Sequence, residues 1–202
     1  MRKLQSSLLA FALLLASIAI SKAQAGVFDL PYFVPEGEWS LGLEPEIALS
    51  GGTGAGLNLK PRYGVNNFLS WEGLVGVGAG SRGFRLGAVA DLDWFPDYES
   101  QPGIATPFFL EYNRISGDGV ITIGIKPMVY KTFKGEEAEY TPFLAVPMGW
   151  NIRNSDARTF LALAIGSMFK VPDLNHWRFT IEAGFNIRNS YSYLSGGVTY
   201  YH

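Results

Sequence analysis

Cysteine is absent from this 202-residue chain, and histidine is scarce, with two residues. Without cysteine there is no disulfide, no zinc–thiolate site, no cysteine nucleophile and no thiol for the lipid anchor of a bacterial lipoprotein. An excess of one charge is also lacking, because 16 basic and 18 acidic residues leave a formal net charge of −2. This balance argues against nucleic acid as a partner.

The sequence lacks any apolar run long enough for a transmembrane helix. The run at residues 8–20 is about 13 residues long, whereas a spanning helix needs about 20. Arg2 and Lys3 precede this run, and Ala23-Gln24-Ala25 follows it, as in a secretory signal peptide with a small-x-small cleavage site. We predict a cleaved signal peptide over residues 1–25 and one domain over 26–202. An uncleaved membrane anchor is the alternative.

Alternation with a period of two residues is the strongest pattern in the remaining chain. Apolar side chains or prolines occupy every second position in residues 39–49, and similar alternation recurs in 57–65, 84–94 and 177–187. A period of two is typical of β-strands whose two faces meet different surroundings. Glycine, with 24 residues, and a 14% aromatic content also suit many strands with interfacial rings.

The pattern predicts an all-β fold with about ten antiparallel strands. They lie near residues 38–49, 55–65, 68–79, 83–94, 104–114, 120–131, 140–151, 158–169, 177–188 and 191–201. Each is about 11 or 12 residues long, whereas soluble strands average about five or six and tilted membrane strands need about 9–11. An even count places both termini on the periplasmic side of an up-and-down barrel.

Two observations keep eight strands open as an alternative. Prolines, which break a ladder hydrogen bond, fall inside the predicted strands at Pro45, Pro61, Pro107, Pro127, Pro142 and Pro147. The longer connections at 95–103, 132–139 and 170–176 also fall on the side of the termini, whereas bacterial barrels usually place long loops outside the cell.

One segment of the sequence recurs. Residues 149–155 read Gly-Trp-Asn-Ile-Arg-Asn-Ser, and residues 184–190 read Gly-Phe-Asn-Ile-Arg-Asn-Ser. The spacing corresponds to two strands with their turns, which makes the repeating unit a hairpin. Because both copies end predicted strands, we expect a shared structural role.

The residues on the polar face of the strands distinguish a membrane barrel, whose apolar face meets lipid, from a soluble barrel. A soluble lipocalin-like barrel or sandwich, the alternative, would turn its apolar face inward and expose many lysines and glutamates. In this chain the polar face holds many glycines and alanines among its charges, as in 76–80 and 162–166. Small residues opposite a large apolar face favour a narrow polar lumen surrounded by lipid.

The chain resembles the small bacterial outer-membrane β-barrel proteins, including OmpA-type eight-stranded barrels and porin-like barrels. Residues 62–68 are similar to their tight periplasmic turns, and Gly197 and Tyr200 are similar to their C-terminal assembly signal. The chain departs from that signal at His202, where an aromatic residue is expected. The resemblance implies insertion by the barrel-assembly machinery into the outer membrane of a Gram-negative bacterium.

The alternation places a set of charges inside the barrel, because a charge facing lipid at mid-depth costs about 2–4 kcal/mol. The expected lumen network is Glu44, Glu46, Lys60, Arg62, Glu72, Arg85, Asp91, Asp93, Glu111, Lys126, Arg178 and Glu182. Inside a narrow lumen these groups should pair, since an unpaired buried charge is costly. They form either a salt-bridged plug or a charged constriction in a small pore.

Arginines also gather at the predicted outer ends of the strands. Arg153 and Arg188 occupy matching ends of the seventh and ninth strands, and Arg82, Arg114 and Arg158 join them loosely at that end. Such side chains could bind lipopolysaccharide phosphates bidentately. Solvated loop arginines are the alternative.

An enzyme is not predicted. Barrel enzymes mostly use a histidine with serine, aspartate or asparagine partners, and neither His176 nor His202 has a convincing partner. Asp91 and Asp93 could form a paired-carboxylate site, but the nearby Arg85 favours ion pairing. Metal-ligand spacing and phosphate-cradling loops are absent from the sequence, so no cofactor is expected.

We therefore predict an outer-membrane barrel with a structural or surface-interaction role, and a passive small-solute channel as the alternative. Its partners would be outer-membrane lipids, lipopolysaccharide and the assembly machinery, with no nucleic acid. Interfacial aromatic rings should face lipid. Those expected to do so are Trp39, Phe84, Trp94, Tyr112, Trp150, Trp177 and Phe185.

Overall fold

The computed structural model describes residues 34–50, 53–80, 82–115 and 117–202. The predicted signal peptide, residues 1–25, lies outside the described residues. Ten strands follow one another along the described chain. Their bounds are β1 Trp39–Ala48, β2 Gly54–Asn66, β3 Leu69–Gly80, β4 Arg82–Phe95, β5 Gly103–Ile115, β6 Asp118–Ile125 with Met128–Tyr130 and Phe133–Lys134, β7 Glu139–Ala145 with Met148–Arg153, β8 Asp156–Lys170, β9 Trp177–Arg188 and β10 Tyr193–Tyr201.

The ten strands close into one antiparallel barrel. Each strand pairs with its neighbour along the chain, and β1 pairs with β10 through positions such as Leu43 opposite Val198. Closure removes the unpaired edges that an open sheet would expose. The predicted fold class is confirmed, with ten strands rather than the alternative eight.

The two faces of the barrel are chemically opposite. Outward side chains are mostly large and apolar, and many are more than two-fifths exposed, including Leu59 at 42% and Trp71 at 52%. Their inward neighbours Lys60 and Glu72 are both 3% exposed. The seven aromatic rings expected to face outward do so, at 37% to 55% exposure, which confirms that orientation.

Prolines interrupt β6 and β7 without changing the register. Met148 faces Ile125 on one side of the interruption, and Met128 faces Ala145 on the other, in one continuous hairpin. The carbonyl oxygens of Pro107, Pro127 and Pro147 accept backbone hydrogen bonds of 2.9 Å from Lys126, Val146 and Ala162, respectively. Each proline therefore lacks its donor but keeps its acceptor in the ladder.

The repeated Arg-Asn-Ser segments share a turn conformation. Asn154 and Asn189 both adopt positive φ angles, 48° and 46°. Asparagine tolerates this left-handed region better than most residues. In the first copy Ser155 is also left-handed, at 68°, and a tight turn joins β7 to β8, where Arg153 faces Asp156. The recurring sequence thus marks hairpin ends, as its position predicted.

The longer connections lie at the end of the barrel where the chain enters β1 and leaves β10. We call this end the terminal end and the other the opposite end. Residues 96–102, 135–138 and 171–176 connect strands at the terminal end, as the sequence indicated. The described residues include one 3-10 turn, Pro172–Leu174, and no helix that is long and apolar enough to cross a membrane.

A charge placed on the apolar outer surface tests whether that surface meets lipid. Leu59→Arg, in the middle of β2, should lower the free energy of unfolding by about 2–4 kcal/mol in phospholipid vesicles. Leu49→Arg, just beyond the end of β1, is the matched control and should cost about 0–1 kcal/mol. Equal losses for the two variants in urea unfolding would contradict a lipid-facing surface.

Candidate functional site

Charged side chains from β1 to β4 form the first of three ion-pair clusters in the lumen. Lys60 Nζ lies 3.0 Å from Glu72 Oε1 and 3.5 Å from Glu44 Oε2. The Arg62 guanidinium lies 2.6 Å from Glu72 Oε2 and 3.3 Å from Asp91 Oδ2. All five side chains are at most 5% exposed, so the pairs are shielded from water. We call this group the central cluster.

A second cluster lies toward the opposite end and is centred on Glu46. Arg82 Nη2 and Arg85 Nη1 lie 2.5 and 3.0 Å from the two oxygens of this carboxylate. Arg85 also reaches Glu111 Oε2 at 3.1 Å. The Tyr191 hydroxyl donates to Glu46 Oε1 at 2.7 Å, and the Arg82 guanidinium stacks 3.8 Å from the centre of the Tyr191 ring. We call this group the mouth cluster.

The third cluster is a buried ion pair on the far side of the lumen. Lys126 Nζ lies 3.4 Å from Glu182 Oε2, and Lys126 is fully buried. The Tyr193 hydroxyl donates to the other Glu182 oxygen. Tyr193 in turn packs against Tyr191, with ring centroids 5.2 Å apart, so this pair joins the mouth cluster through aromatic rings.

Two residues of the expected network have other contacts. Asp93 is only partly buried and accepts the Tyr130 hydroxyl at 3.1 Å. Arg178 donates to the backbone carbonyls of Asn175 and Trp177, at 2.8 and 3.0 Å, near the terminal end. Arg85 pairs with Glu46 and Glu111, and not with Asp91 as the sequence suggested, whereas Asp91 pairs with Arg62 of β2.

Apolar side chains occupy other parts of the lumen, together with uncharged polar ones such as Thr122 and Asn151. Near β5 to β8 the buried residues include Met128, Tyr130, Phe143, Ala145 and Ala164, which pack as one group. A second group consists of Val89, Phe109 and Phe160, whose two phenylalanine rings lie 6.2 Å apart. The sequence predicted a polar lumen, in which these apolar groups were not expected. The alternation in the sequence could have predicted them, because Phe109 lies two residues before Glu111 and therefore points to the same, inward face of β5.

Arg82 was grouped with loop arginines in the sequence analysis, yet its side chain is mostly buried in the mouth cluster. The pairing of β4 with β5 shifts register between Arg82 and Arg85. A bulge adds a residue and breaks the simple alternation, so both arginines reach the lumen although their numbers differ in parity. Sequence alternation alone cannot place such a side chain.

Arg153 and Arg188 lie at the opposite end, but they do not form one site. Arg153 is partly buried and forms an ion pair with Asp118 of the neighbouring strand. Arg188 is exposed at the end of β9. The two histidines lie at the terminal end, where His176 Nδ1 hydrogen-bonds the Tyr201 carbonyl oxygen at 2.9 Å and the His202 ring stacks on Trp39. The two histidines thus contact the two strands whose pairing closes the barrel, His176 on β10 and His202 on β1.

At the terminal end, Asp97 links the connection at 96–102 to the break in β6 between Tyr130 and Phe133. Lys131 Nζ and the Thr132 amide donate to its two carboxylate oxygens, at 2.5 and 2.6 Å. Partial burial acts to raise the pKa of Asp97, but the hydrogen bonds from Lys131 and Thr132 outweigh it and hold the pKa below its ordinary value. Lys131 also donates to the carbonyl oxygens of Glu99 and Gln101, which orders the connection before β5.

The arrangement in the lumen is suited to closure. Carboxylates and cations alternate through the barrel, and aromatic rings occupy much of the remaining space. Within the described part of the chain, no group of three or more histidine, cysteine or acidic residues could hold a metal ion.

Comparisons with known proteins found similar solved structures only. Neither a protein family nor a curated protein matches the chain. Among solved structures, it is similar to a de novo designed transmembrane β-barrel, with 10% identity, a TM-score of 0.41 and coverage of 85% of this chain and 100% of that one. KdgM porin matches at 13% identity and TM-score 0.40, covering 80% and 98% of the two chains. Ail, the attachment invasion locus protein of Yersinia pestis, is similar at 14% identity and a TM-score of 0.30, and the match covers 83% of this chain and 99% of that one.

Removing one cation from the central cluster tests whether the lumen is dry. Lys60→Met takes away the ammonium group that Glu44 and Glu72 both face, and should lower the free energy of unfolding by about 3–5 kcal/mol. Lys134→Met, on the exposed terminal end, is the control and should change it by less than about 0.5 kcal/mol. Urea unfolding of the refolded barrel measures both variants. A loss under about 1 kcal/mol for Lys60→Met would indicate solvated pairs.

The lowered pKa of Asp97 gives a pH dependence at the terminal end. A carboxyl group whose folded pKa lies below its unfolded value of about 3.9 stabilises the fold above that value. The contribution is lost as the pH falls through the lower, folded pKa. Hydrogen exchange at the Thr132 amide should therefore accelerate as the pH falls below about 4, beyond its intrinsic pH dependence. Asp97→Asn should remove this step, whereas Asp173→Asn, the control at the same end, should retain it.

Proposed function

We propose that this protein is an outer-membrane β-barrel of a Gram-negative bacterium, with a structural or surface-interaction role and a lumen closed by ion pairs. The observation that carries the proposal is the burial of the lumen charges. Lys126 is 0% exposed and Glu111 is 1% exposed, although both point into the interior of the barrel. Charges lining an open aqueous pore would be hydrated and accessible.

The outer surface supports membrane placement. Large apolar side chains surround the barrel, and aromatic rings lie near both ends, with Trp39 and Trp177 at the terminal end and Trp150 and Phe185 at the opposite end. A soluble protein rarely exposes so continuous an apolar surface. Export by the predicted signal peptide and insertion by the barrel-assembly machinery would deliver the chain to this membrane.

The lumen contents support closure over conduction. The central cluster, the mouth cluster and the Lys126–Glu182 pair lie inside the barrel together with buried aromatic and aliphatic side chains. An ion entering this lumen would have to separate pairs in a medium of low dielectric, where separation is costly. The passive channel is therefore the second candidate, and it requires the clusters to move.

Outer-membrane lipids and lipopolysaccharide are the proposed partners of the outer surface and of the opposite end. Arg188 and Arg158 are exposed there, and guanidinium groups bind phosphate bidentately. The terminal end carries the longer, hydrogen-bonded connections, including the Asp97–Lys131 contact. A surface-interaction role would instead use the short loops at the opposite end.

Conductance of the refolded barrel in a planar lipid bilayer tests the closed lumen. The wild-type protein should give no discrete, stable openings, because the ion pairs and rings obstruct the path. A variant that removes two obstructions of the mouth cluster, Tyr191→Ala with Arg82→Ala, should show brief openings more often. Regular openings of the wild-type protein at all voltages would overturn closure and favour the channel.

The conductance experiment needs a control for insertion. Trp150 fluorescence should be quenched by lipids brominated near the head group in every preparation, because this ring faces outward. Silence accompanied by quenching shows a closed, inserted barrel.

A further inference from the structure

The chain turns back on itself just before it enters β1. The Glu38 amide donates to the Pro35 carbonyl oxygen at 3.0 Å, and Gly37 between them has a φ of 79°. This bond, together with a positive φ at the third residue, is characteristic of a type II turn, in which glycine is preferred at that position. The turn reverses the chain at the terminal end, so the residues before Pro35 run alongside β1 in the opposite direction, away from that end.

Contacts at Gly64 show on which side of the wall this reversed segment lies. Gly64 comes two residues after Arg62 in β2, so a side chain at this position would point into the lumen. A Cβ built on Gly64 would overlap the carbonyl oxygens of Val34 and Pro35. The chain before the turn therefore lies inside the barrel and not against its outer surface.

The turn is also fixed to the wall through the backbone. The Gly64 amide donates to the Glu38 carbonyl oxygen, and the Gly64 carbonyl oxygen accepts from the Gly37 amide, both at 3.0 Å. These two bonds continue the ladder between β1 and β2 up to the turn. The position at which the chain enters the lumen is thus set by the strands themselves.

Burial agrees with an internal position. Val34 is 0% exposed, although it precedes the first strand. Ser40 and Ser70, two small inward residues of β1 and β3 near the same end, are 2% and 0% exposed. Small side chains on the wall of a lumen are shielded from water only where other atoms cover them. The reversed segment enters the lumen beside these residues.

The lumen has a suitable width and length for an additional segment. Eight strands enclose an interior that their own side chains just fill, and ten strands enclose a wider one. Residues 26–33, between the predicted cleavage site and Val34, span at most about 26 Å at about 3.3 Å per residue. The apolar band of a membrane barrel is about 25 Å tall. The segment can therefore follow the lumen without extending far beyond it.

The composition of residues 26–33 suits a buried position. The sequence is Gly-Val-Phe-Asp-Leu-Pro-Tyr-Phe, with a single charge at Asp29. Inward residues of β6 and β7 are also partly apolar, including Met128, Tyr130 and Phe143. Transfer of the apolar side chains of the segment from water into the lumen is favourable, since it removes apolar surface from water.

We propose that residues 26–33 dock inside the lumen, so that the N-terminal segment of the mature protein forms a plug held at Gly64. The inference deepens the closed lumen proposed above and rests on the removal of residues 1–25, because a retained leader would compete for the same space. Two glycines are required for this docking. Gly64 leaves room for the backbone of the segment, and Gly37 permits the turn.

Thiol labelling tests the plug, since the chain has no cysteine of its own. The full chain is expressed in a Gram-negative host and purified from the outer membrane, and its mass shows whether residues 1–25 have been removed. Leu30→Cys should react with a hydrophilic maleimide at least about 100-fold more slowly than Glu36→Cys in the exposed turn, because a buried thiol reacts only after local opening. In urea the two variants should react at the same rate.

Two further substitutions should release the thiol of Leu30→Cys. Gly37→Val leaves the wall unchanged but strains the turn, and should raise the labelling rate about tenfold. Gly64→Val places a side chain in the space of the docked backbone and should raise the rate at least as much. Gly196→Val is the control, because it lies on the outer face of β10 and its Cβ would meet no atom closer than 3.6 Å. It should leave the rate unchanged.

Equal labelling of Leu30→Cys and Glu36→Cys in a cleaved, folded barrel would overturn the plug. Slow labelling that neither Gly64→Val nor Gly37→Val changes would also overturn it, because the segment would then be shielded elsewhere, as by lipid. A mass that retains residues 1–25 would overturn the cleavage on which the plug rests, and the plug with it. The labelling rates do not depend on whether the lumen conducts, so this test succeeds or fails independently of the conductance measurement.

Discussion

The rest of the structure depends on the cost of leaving polar groups unpaired where water is excluded. A strand surrounded by hydrocarbon must satisfy its N–H and C=O groups within the protein, and the pairing of β1 with β10 completes that requirement around the barrel. The same constraint acts on side chains inside the barrel. Lys60, Arg62 and Glu72 are tolerated because each lies within 3.0 Å of an opposite charge.

The pairing of charges in the lumen depends on the register of the strands that close the barrel. Alternation places an inward charge beside an outward apolar residue, so a shift of one residue in register would move Glu44 to the outer surface and Leu43 into the lumen. The prolines at 127 and 147 are accommodated because their carbonyl oxygens keep their ladder partners. The register therefore remains continuous through β6 and β7, and Lys126 reaches Glu182 across the lumen.

Much of the fold could be predicted from the sequence because alternation reports directly on strand length and on the two faces. Strand β9, for example, was predicted at 177–188 and is Trp177–Arg188. The ion-pair partners inside the lumen were harder to predict from the sequence, because pairing depends on which strands face one another across the barrel. Arg85 was expected near Asp91 on its own strand, but its partners lie on β1 and β5. The bulge beside Arg82 leaves no period-two signal.

The central claim is that the charged lumen is dry and closed. Solid-state NMR of the protein in lipid bilayers can measure magnetisation transfer from water to individual side chains. The account predicts rapid transfer to Lys134 and Arg188, which are exposed at the two ends, and almost none to the ammonium group of Lys126 or of Lys60. Transfer to Lys126 and Lys60 as fast as that to Lys134 would show a continuous column of water through the barrel and would contradict the account.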